Sequence, residues 1–292
     1  MNRVVNKLKS LNLKNSCSEE VRTLLKKVTI LHVPLCIPKG IMIFRTRKGT
    51  GLWKHEDLTY CPVEHCTSLQ RVTLKGSTMF YGVISASNQK EEYARAIAAT
   101  ECSQLCREGG KSVGKETFCI GCWEIIEPLH IVSLVNDTIF SECNNNILLN
   151  RLREHFKSIY NKDNTPLEAF EISDFINTEF SKFVKESENY EYLISATITT
   201  EIIEKYGYDG IIYPPVKLEG QGGMNIALTP KAVNEKLRLI KVEEQTLYKN
   251  EEISLICLNC VTENGYVNKI VQITDKQIEE VLGIEVNKLP IR

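Results

Sequence analysis

The stretch that decides the fold is residues 206–228, YGYDGIIYPPVKLEGQGGMNIAL. A turn signal at residues 209–210 precedes a short β-branched run at residues 211–213. The two prolines at residues 214–215 end that strand, because proline lacks the amide donor that a sheet requires. A loop with three glycines follows, and residues 225–228 form a second apolar run. Two strands joined in this way are typical of the rim of a ligand cleft, although an ordinary exposed connection gives the same pattern.

Strand-like and helical segments do not alternate regularly along the rest of the chain. Apolar periodicity predicts a long helix over residues 89–107 and a polar helical region over residues 143–185. This irregular order favours an α+β fold over a doubly wound parallel sheet. The other predicted strands lie at residues 41–47, 78–85, 116–126, 130–135, 253–258 and 266–273.

Composition and charge bound the class of protein. The chain has 292 residues, 42% of them apolar, and a formal net charge of −1. Because a general nucleic-acid binder needs a basic face, we expect no nucleic-acid partner. The longest apolar tract, residues 28–44, is interrupted by His32 and two prolines, so we expect no membrane span. Residues 1–16 lack the apolar segment of a signal peptide, which favours a cytoplasmic protein.

The eleven cysteines include two CxxC pairs, Cys119/Cys122 and Cys257/Cys260. A structural zinc site needs four ligands brought together, and these pairs lie far apart in the sequence. Structural zinc is therefore disfavoured, and mostly buried free thiols in a reducing compartment are expected. The five histidines show no HxxxH or HExxH spacing, so we predict no metal requirement.

Glu101 is the residue whose position alone suggests chemistry. On a helical projection Tyr93, Ile97 and Leu105 form one apolar stripe, and Glu101 falls in the middle of this arc. A carboxylate on the core-facing side of a helix needs a partner or becomes neutral. A buried salt bridge is the alternative, and for a lone glutamate it is the more common explanation.

Three arginines and one tyrosine are candidates for ligand binding. Arg71 follows a polar loop, and a guanidinium can bind a diphosphate in bidentate fashion. Tyr81 lies in the next strand and could stack on a flat aromatic ligand. Arg45 and Arg47 point to the same side of their strand, which makes them a second phosphate candidate. For each single arginine, a surface ion pair is the ordinary alternative.

Five segments in a fixed order resemble the RES domain, a family named for its Arg, Glu and Ser. Its members include NAD-degrading toxins of toxin–antitoxin pairs. The segments are IFRTR (43–47), QRVTLKGSTMFYG (70–82), ARAIAATEC (94–102), EYLISATITTEII (191–203) and the stretch at 206–228. The resemblance implies an ADP-ribosyltransferase-like α+β fold with mixed or antiparallel sheets flanked by helices.

The same resemblance implies a domain organisation. Residues 39–242 would form a RES-like domain, preceded by a helical N-terminal extension at residues 1–38. Residues 243–292 would form a C-terminal α/β extension packed on the main domain. Such extensions could occlude the site in cis. Toxic members of the family are commonly inhibited by a small antitoxin protein, which is therefore a predicted partner.

The activity implied is NAD consumption by cleavage of the nicotinamide–ribose bond, with phosphate, water or a protein side chain as acceptor. Glu101 aligns with the helix glutamate of the family, and Arg71 and Tyr81 keep the family's spacing of ten residues. These three are the predicted catalytic residues, and NAD is the substrate. The residues predicted to bind it are Arg45, Arg47, Tyr213, Lys217 and Asn225.

The chain departs from the family pattern at two places. The interval from Tyr81 to the helix glutamate is long, so Glu92 is the alternative catalytic carboxylate. Pro215 stands where the family has a serine, and Ser195 belongs to a different segment. The missing hydroxyl leaves a second hypothesis open, that of a catalytically silent module that binds NAD or ADP-ribose.

Overall fold

The computed structural model describes residues 2–84, 91–108, 111–263, 266–270 and 273–292. Within these residues the fold is α+β, with ten β-strands in mixed sheet structure flanked by helices. The chain divides into two compact units. Unit 1 comprises Met1–Lys39, Tyr60–Tyr81 and Glu127–Lys236, and unit 2 comprises Gly40–Thr59, Gly82–Ile126 and Leu237–Arg292.

The elements are numbered in chain order. The helices are α1 (Arg3–Lys9), α2 (Ser18–Leu25), α3 (His55–Leu58), α4 (Glu91–Cys102), α5 (Gln104–Arg107), α6 (Ile147–Ile159), α7 (Leu167–Ser181), α8 (Leu193–Tyr206), α9 (Pro230–Lys236) and α10 (Asp275–Leu282). The strands are β1 (Val33–Ile37), β2 (Met42–Lys48), β3 (Phe80–Ile84), β4 (Gly114–Ile125), β5 (Leu129–Ser133), β6 (Gly210–Tyr213), β7 (Met224–Leu228), β8 (Leu237–Lys249), β9 (Ser254–Glu263) and β10 (Tyr266–Lys269). Across the described part of the chain, no helix is both long and apolar enough to cross a membrane.

The sheet of unit 1 has the strand order β1-β5-β6-β7. β1 pairs with β5 and β6 pairs with β7 in antiparallel fashion, whereas β5 and β6 are parallel. All residues of β6 and β7 are buried, as expected for strands covered on both faces. The strand pair predicted from residues 206–228 is confirmed, and its register places Tyr213 opposite Asn225.

The N-terminal helices α1 and α2 belong to the hydrophobic core of unit 1. Leu8 of α1 and Val21 of α2 are buried in one cluster with Ile172 of α7 and Ile198 of α8. Helices this short are not stable alone, so tertiary packing of such side chains holds them in place. The predicted helical extension, residues 1–38, thus contributes to this core and also contains β1.

The strands of unit 2 follow the order β2-β4-β8-β9-β10, and Val83 of β3 pairs with Phe44 of β2. β4 lies between β2 and β8, and its Phe118 and Trp123 are almost completely buried. β8 begins before residue 243 and pairs with β4 along its length. The predicted C-terminal extension is therefore continuous with this sheet, and the domain boundaries read from the sequence stay predictions.

Candidate functional site

Arg71 binds the end of helix α7 in unit 1. Its Nη1 donates to the carbonyl oxygen of Phe180 at 2.6 Å, and its Nη2 donates to that of Lys182 at 2.9 Å. The guanidinium carbon lies 5.0 Å from the ring centre of Tyr192, whose hydroxyl is 3.4 Å from Nη2. The last carbonyls of a helix have no partner within the helix, and cationic side chains commonly bind them. Arg71, which the sequence predicts to bind a diphosphate, instead donates hydrogen bonds to these backbone carbonyls.

Ser195 joins two segments that are distant in the sequence. Its hydroxyl donates to the carbonyl oxygen of Arg71 at 2.6 Å, and the residue is only 1% exposed. Arg71 therefore contacts the segment 192–195 twice. Its guanidinium contacts Tyr192, and its backbone carbonyl accepts from Ser195. The structure thus brings together two of the five motif segments.

Tyr81 and Tyr213 pack in the same core cluster of unit 1. The hydroxyl of Tyr81 is hydrogen-bonded to Thr73 Oγ1. The ring of Tyr213 lies edge-on to the ring of Phe180, with 6.4 Å between the centres, and Tyr213 is 6% exposed. Because Phe180 also accepts the bond from Arg71, the predicted site residues Arg71 and Tyr213 both contact Phe180.

A cavity of about 520 Å³ lies beside the Arg71 contact in unit 1. Its lining combines aliphatic side chains with polar ones, among them Lys182, Glu179, Glu191 and Tyr190. The ammonium of Lys182 lies 2.7 Å from Glu179 and 3.5 Å from Glu191. Burial raises the pKa of Glu179, against the opposing effect of Lys182. The cavity has the size of a small-molecule pocket, and its polar lining was not identified from the sequence.

The glycine loop between β6 and β7 is a packed turn. The buried Asn146 donates from Nδ2 to the carbonyl oxygens of Gly220 and Gly223, at 2.6 and 2.9 Å. Gly220 has φ +80°, and a Cβ added to it would lie 2.9 Å from Cγ of Phe140. In this conformation the loop is therefore bonded to the start of α6. Lys217 within this loop is half-buried.

Asn225 and Asn146 differ in how well the sequence identifies them. Asn225 begins the second apolar run, lies in β7 and is 8% exposed, and its role in binding NAD stays a prediction. Asn146 precedes a helical apolar run, as N-cap residues do, and this pattern indicates a cap but no contact with the loop. Its contact with the loop spans 74 positions and leaves no local signal.

The predicted catalytic residue Glu101 lies in the last turn of α4, in unit 2. It is half-buried, and Ile97 on the same helix is 5% exposed, as the apolar arc predicted. Tyr93 is 61% exposed, so its assignment to this buried arc is wrong; the first three residues of α4 are all exposed. Glu92, the alternative carboxylate, is in that exposed turn.

The helix predicted over residues 89–107 is interrupted at Ser103. Ser103 Oγ accepts from the amide of Cys106 at 3.0 Å and so caps a separate helix, α5. The same hydroxyl donates to Glu116, whose buried carboxylate also accepts from the amide of Gln104 at 3.1 Å. Serine favours caps over helix interiors because its side chain competes for backbone donors, and this explains the break.

Arg95 holds α4 against the sheet of unit 2. Its Nε lies 3.1 Å from a carboxylate oxygen of Glu243 in β8, and its guanidinium carbon lies 5.1 Å from the ring centre of Phe44. Burial lowers the pKa of Arg95, but the carboxylates of Glu243 and Glu91 outweigh burial and raise it. This ion pair fixes the helix that carries Glu101. The long interval between Tyr81 and Glu101 predicts an insertion at residues 87–93, of which residues 87–90 lie outside the described residues.

Arg45 and Arg47 lie in β2, also in unit 2. Arg45 is 9% exposed, and Arg47 donates from Nη2 to the carbonyl oxygen of Thr59 at 3.1 Å. Their assignment to a phosphate group stays a prediction. The predicted site residues thus divide between the two units, with Arg71, Tyr81, Tyr213, Lys217 and Asn225 in unit 1.

The two CxxC pairs of unit 2 lie on β4 and β9, the strands on either side of β8. Cys119 of β4 and Cys260 of β9 both pair with Glu244 of β8, and their sulfurs lie 4.0 and 3.9 Å from its carboxylate oxygens. Since β8 lies between them, their backbones are separated by two strand spacings, roughly 10 Å. That distance is too long for a disulfide. Among the described residues, no group of three or more His, Cys, Asp or Glu is arranged to hold a metal ion.

Comparisons with known proteins do not identify the chain. No protein-family model matches it, and no curated protein matches it at a significant level. The RES resemblance therefore rests on the five motif segments, and the activity that it implies stays a prediction.

Proposed function

We propose that this protein is an NAD-consuming enzyme of the RES type, with an ADP-ribosyltransferase-like fold. One observation carries the proposal. Two motif segments that are far apart in the sequence meet through the bond from Ser195 Oγ to the carbonyl oxygen of Arg71. Tyr81 of β3 and Tyr213 of β6, both predicted site residues, pack in the same core cluster.

The proposed reaction is cleavage of the bond between nicotinamide and ribose, which passes through an oxocarbenium-like state as glycoside cleavage does. A carboxylate is the group that stabilises such a positive charge, and the motif assigns this role to Glu101. Tyr81 would stack on the nicotinamide ring. Arg45 and Arg47 would bind the diphosphate.

Arg71 has a different role from the one that its motif suggests. Its terminal nitrogens already donate to the carbonyls of Phe180 and Lys182. A diphosphate could bind Arg71 only if these bonds were broken, and each bond to a charged group contributes about 1.5–3 kcal/mol. We therefore assign Arg71 to holding the end of α7, beside the charged cavity lined by Lys182.

The second candidate is a catalytically silent module that binds NAD or ADP-ribose. Two observations favour it: the proline at position 215 has no hydroxyl, and Arg71 is engaged with backbone. For either function we propose a cytoplasmic protein, and for the enzyme a small antitoxin as partner. The acceptor in the enzyme reaction is phosphate, water or a protein side chain.

The deciding experiment incubates the purified chain with NAD, with and without phosphate, and follows nicotinamide release. Release that disappears in Glu101→Gln and persists in Glu92→Gln supports the enzyme, because only the first position has the half-buried carboxylate. Calorimetric NAD binding without release supports the silent module. Neither release nor binding, with either acceptor and with protein targets present, refutes both.

A further inference from the structure

The side-chain amide of Asn146 forms hydrogen bonds through both its nitrogen and its oxygen. Nδ2 donates to the carbonyls of Gly220 and Gly223, while Oδ1 accepts from the amide of Leu149 at 3.0 Å. The residue is completely buried. An asparagine amide offers two donor hydrogens and one acceptor oxygen, and all are engaged here. One residue therefore caps helix α6 and binds both ends of the glycine turn.

A second contact from the same region supports the turn. The backbone of Phe140 has φ +48°, which residues other than glycine rarely adopt, and its ring packs against Gly220. Arg153 of α6 donates to three backbone carbonyls of the preceding segment. They belong to Phe140, to Ile139 (from Nε, 3.2 Å) and to Cys143 (from Nη1, 2.8 Å). Helix α6 therefore positions both Phe140 and Asn146 against one turn.

From this geometry we infer that Asn146 is a positioning residue that fixes the segment 214–223 in one conformation. The segment connects Tyr213 to Asn225, which are paired across β6 and β7, and it carries Lys217. An effect of Asn146 on NAD binding rests on the proposed function, in which Tyr213, Lys217 and Asn225 bind NAD. The consequence for the loop itself does not depend on any ligand.

Asn146→Asp separates the two roles of the side chain. Aspartate is as good an N-cap residue as asparagine, so the bond from the amide of Leu149 is retained. It has no donor for the carbonyls of Gly220 and Gly223. With two bonds lost, we expect amide hydrogen exchange in residues 216–223 to become about 10- to 100-fold faster. The matched control is Asn150→Asp, on the same helix, whose side chain bonds to Asn144 and Arg153 instead.

The kinetic measurement separates this inference from the proposed function. In the enzyme, Asn146→Asp should raise the KM for NAD at least several-fold with a smaller change in kcat, because the binding residues lose their fixed positions. Faster loop exchange in a chain that never consumes NAD would support the role of Asn146 and count against the enzyme.

Unchanged exchange at residues 216–223 in a folded Asn146→Asp protein would overturn the inference. If that variant does not fold, Asn146→Ser replaces it. Serine also caps helices, and its short side chain cannot reach both carbonyls. The same comparison of loop exchange then decides.

Discussion

Replacing Gly220 by alanine tests whether the glycine loop is packed as described. At φ +80° an alanine is in the left-handed region, which costs about 1–2 kcal/mol. The new Cβ would lie 2.9 Å from Cγ of Phe140, and crowding of this kind in a packed site costs about 1–3 kcal/mol more. We therefore expect the free energy of unfolding to fall by about 2–5 kcal/mol.

Gly207 provides a matched control for this substitution. It has φ +70°, and no atom lies within 4 Å of the point where an alanine Cβ would be, so Gly207→Ala carries the backbone cost alone. Urea denaturation of both variants gives the difference between them, which we expect to be about 1–3 kcal/mol. The double variant Gly220→Ala/Phe140→Ala should cost less than the sum of the single changes, because the crowding by the ring atoms of Phe140 is removed. If Gly220→Ala and Gly207→Ala lower the free energy of unfolding equally, Phe140 does not pack on the loop as described.

Four further predictions address the site and the thiols. Glu101→Gln should lower nicotinamide release by about 10²–10³, the usual cost of removing one electrostatic group from an active site, while Glu92→Gln leaves the rate unchanged. Arg71→Lys should lower the free energy of unfolding by about 1–3 kcal/mol, measured in urea, because one ammonium cannot reproduce the paired bonds to α7; an unchanged midpoint would contradict that role. Burial raises the pKa of Cys119 to about 11 from its usual 9.0. Stability should therefore decrease as pH rises above 9, where the unfolded thiol ionises first. Mass spectrometry after alkylation at pH 8 should show exposed Cys17 modified before Cys119.

The sequence predicts the β6–β7 strand pair correctly because turn and proline residues within the segment itself determine it. The turn at residues 209–210 and the prolines at 214–215 restrict the backbone directly, and the β6–β7 pair follows from them. The break in the long helix depends on Ser103 reaching Glu116 on β4, and periodicity cannot show such a contact. The packing of the glycine loop depends in the same way on Asn146. A loop rich in glycine is free to move only if no distant side chain binds it.

The position of the N-terminal helices has a consequence for biosynthesis. Leu8 and Val21 are buried against α7 and α8, which leave the ribosome only after all of β1 to β5. Until then the apolar faces of α1 and α2 are exposed, and exposed apolar surface on a nascent chain favours aggregation. We expect newly made chains to depend on chaperones during this interval, and the contacts between distant segments to make refolding of unit 1 slow.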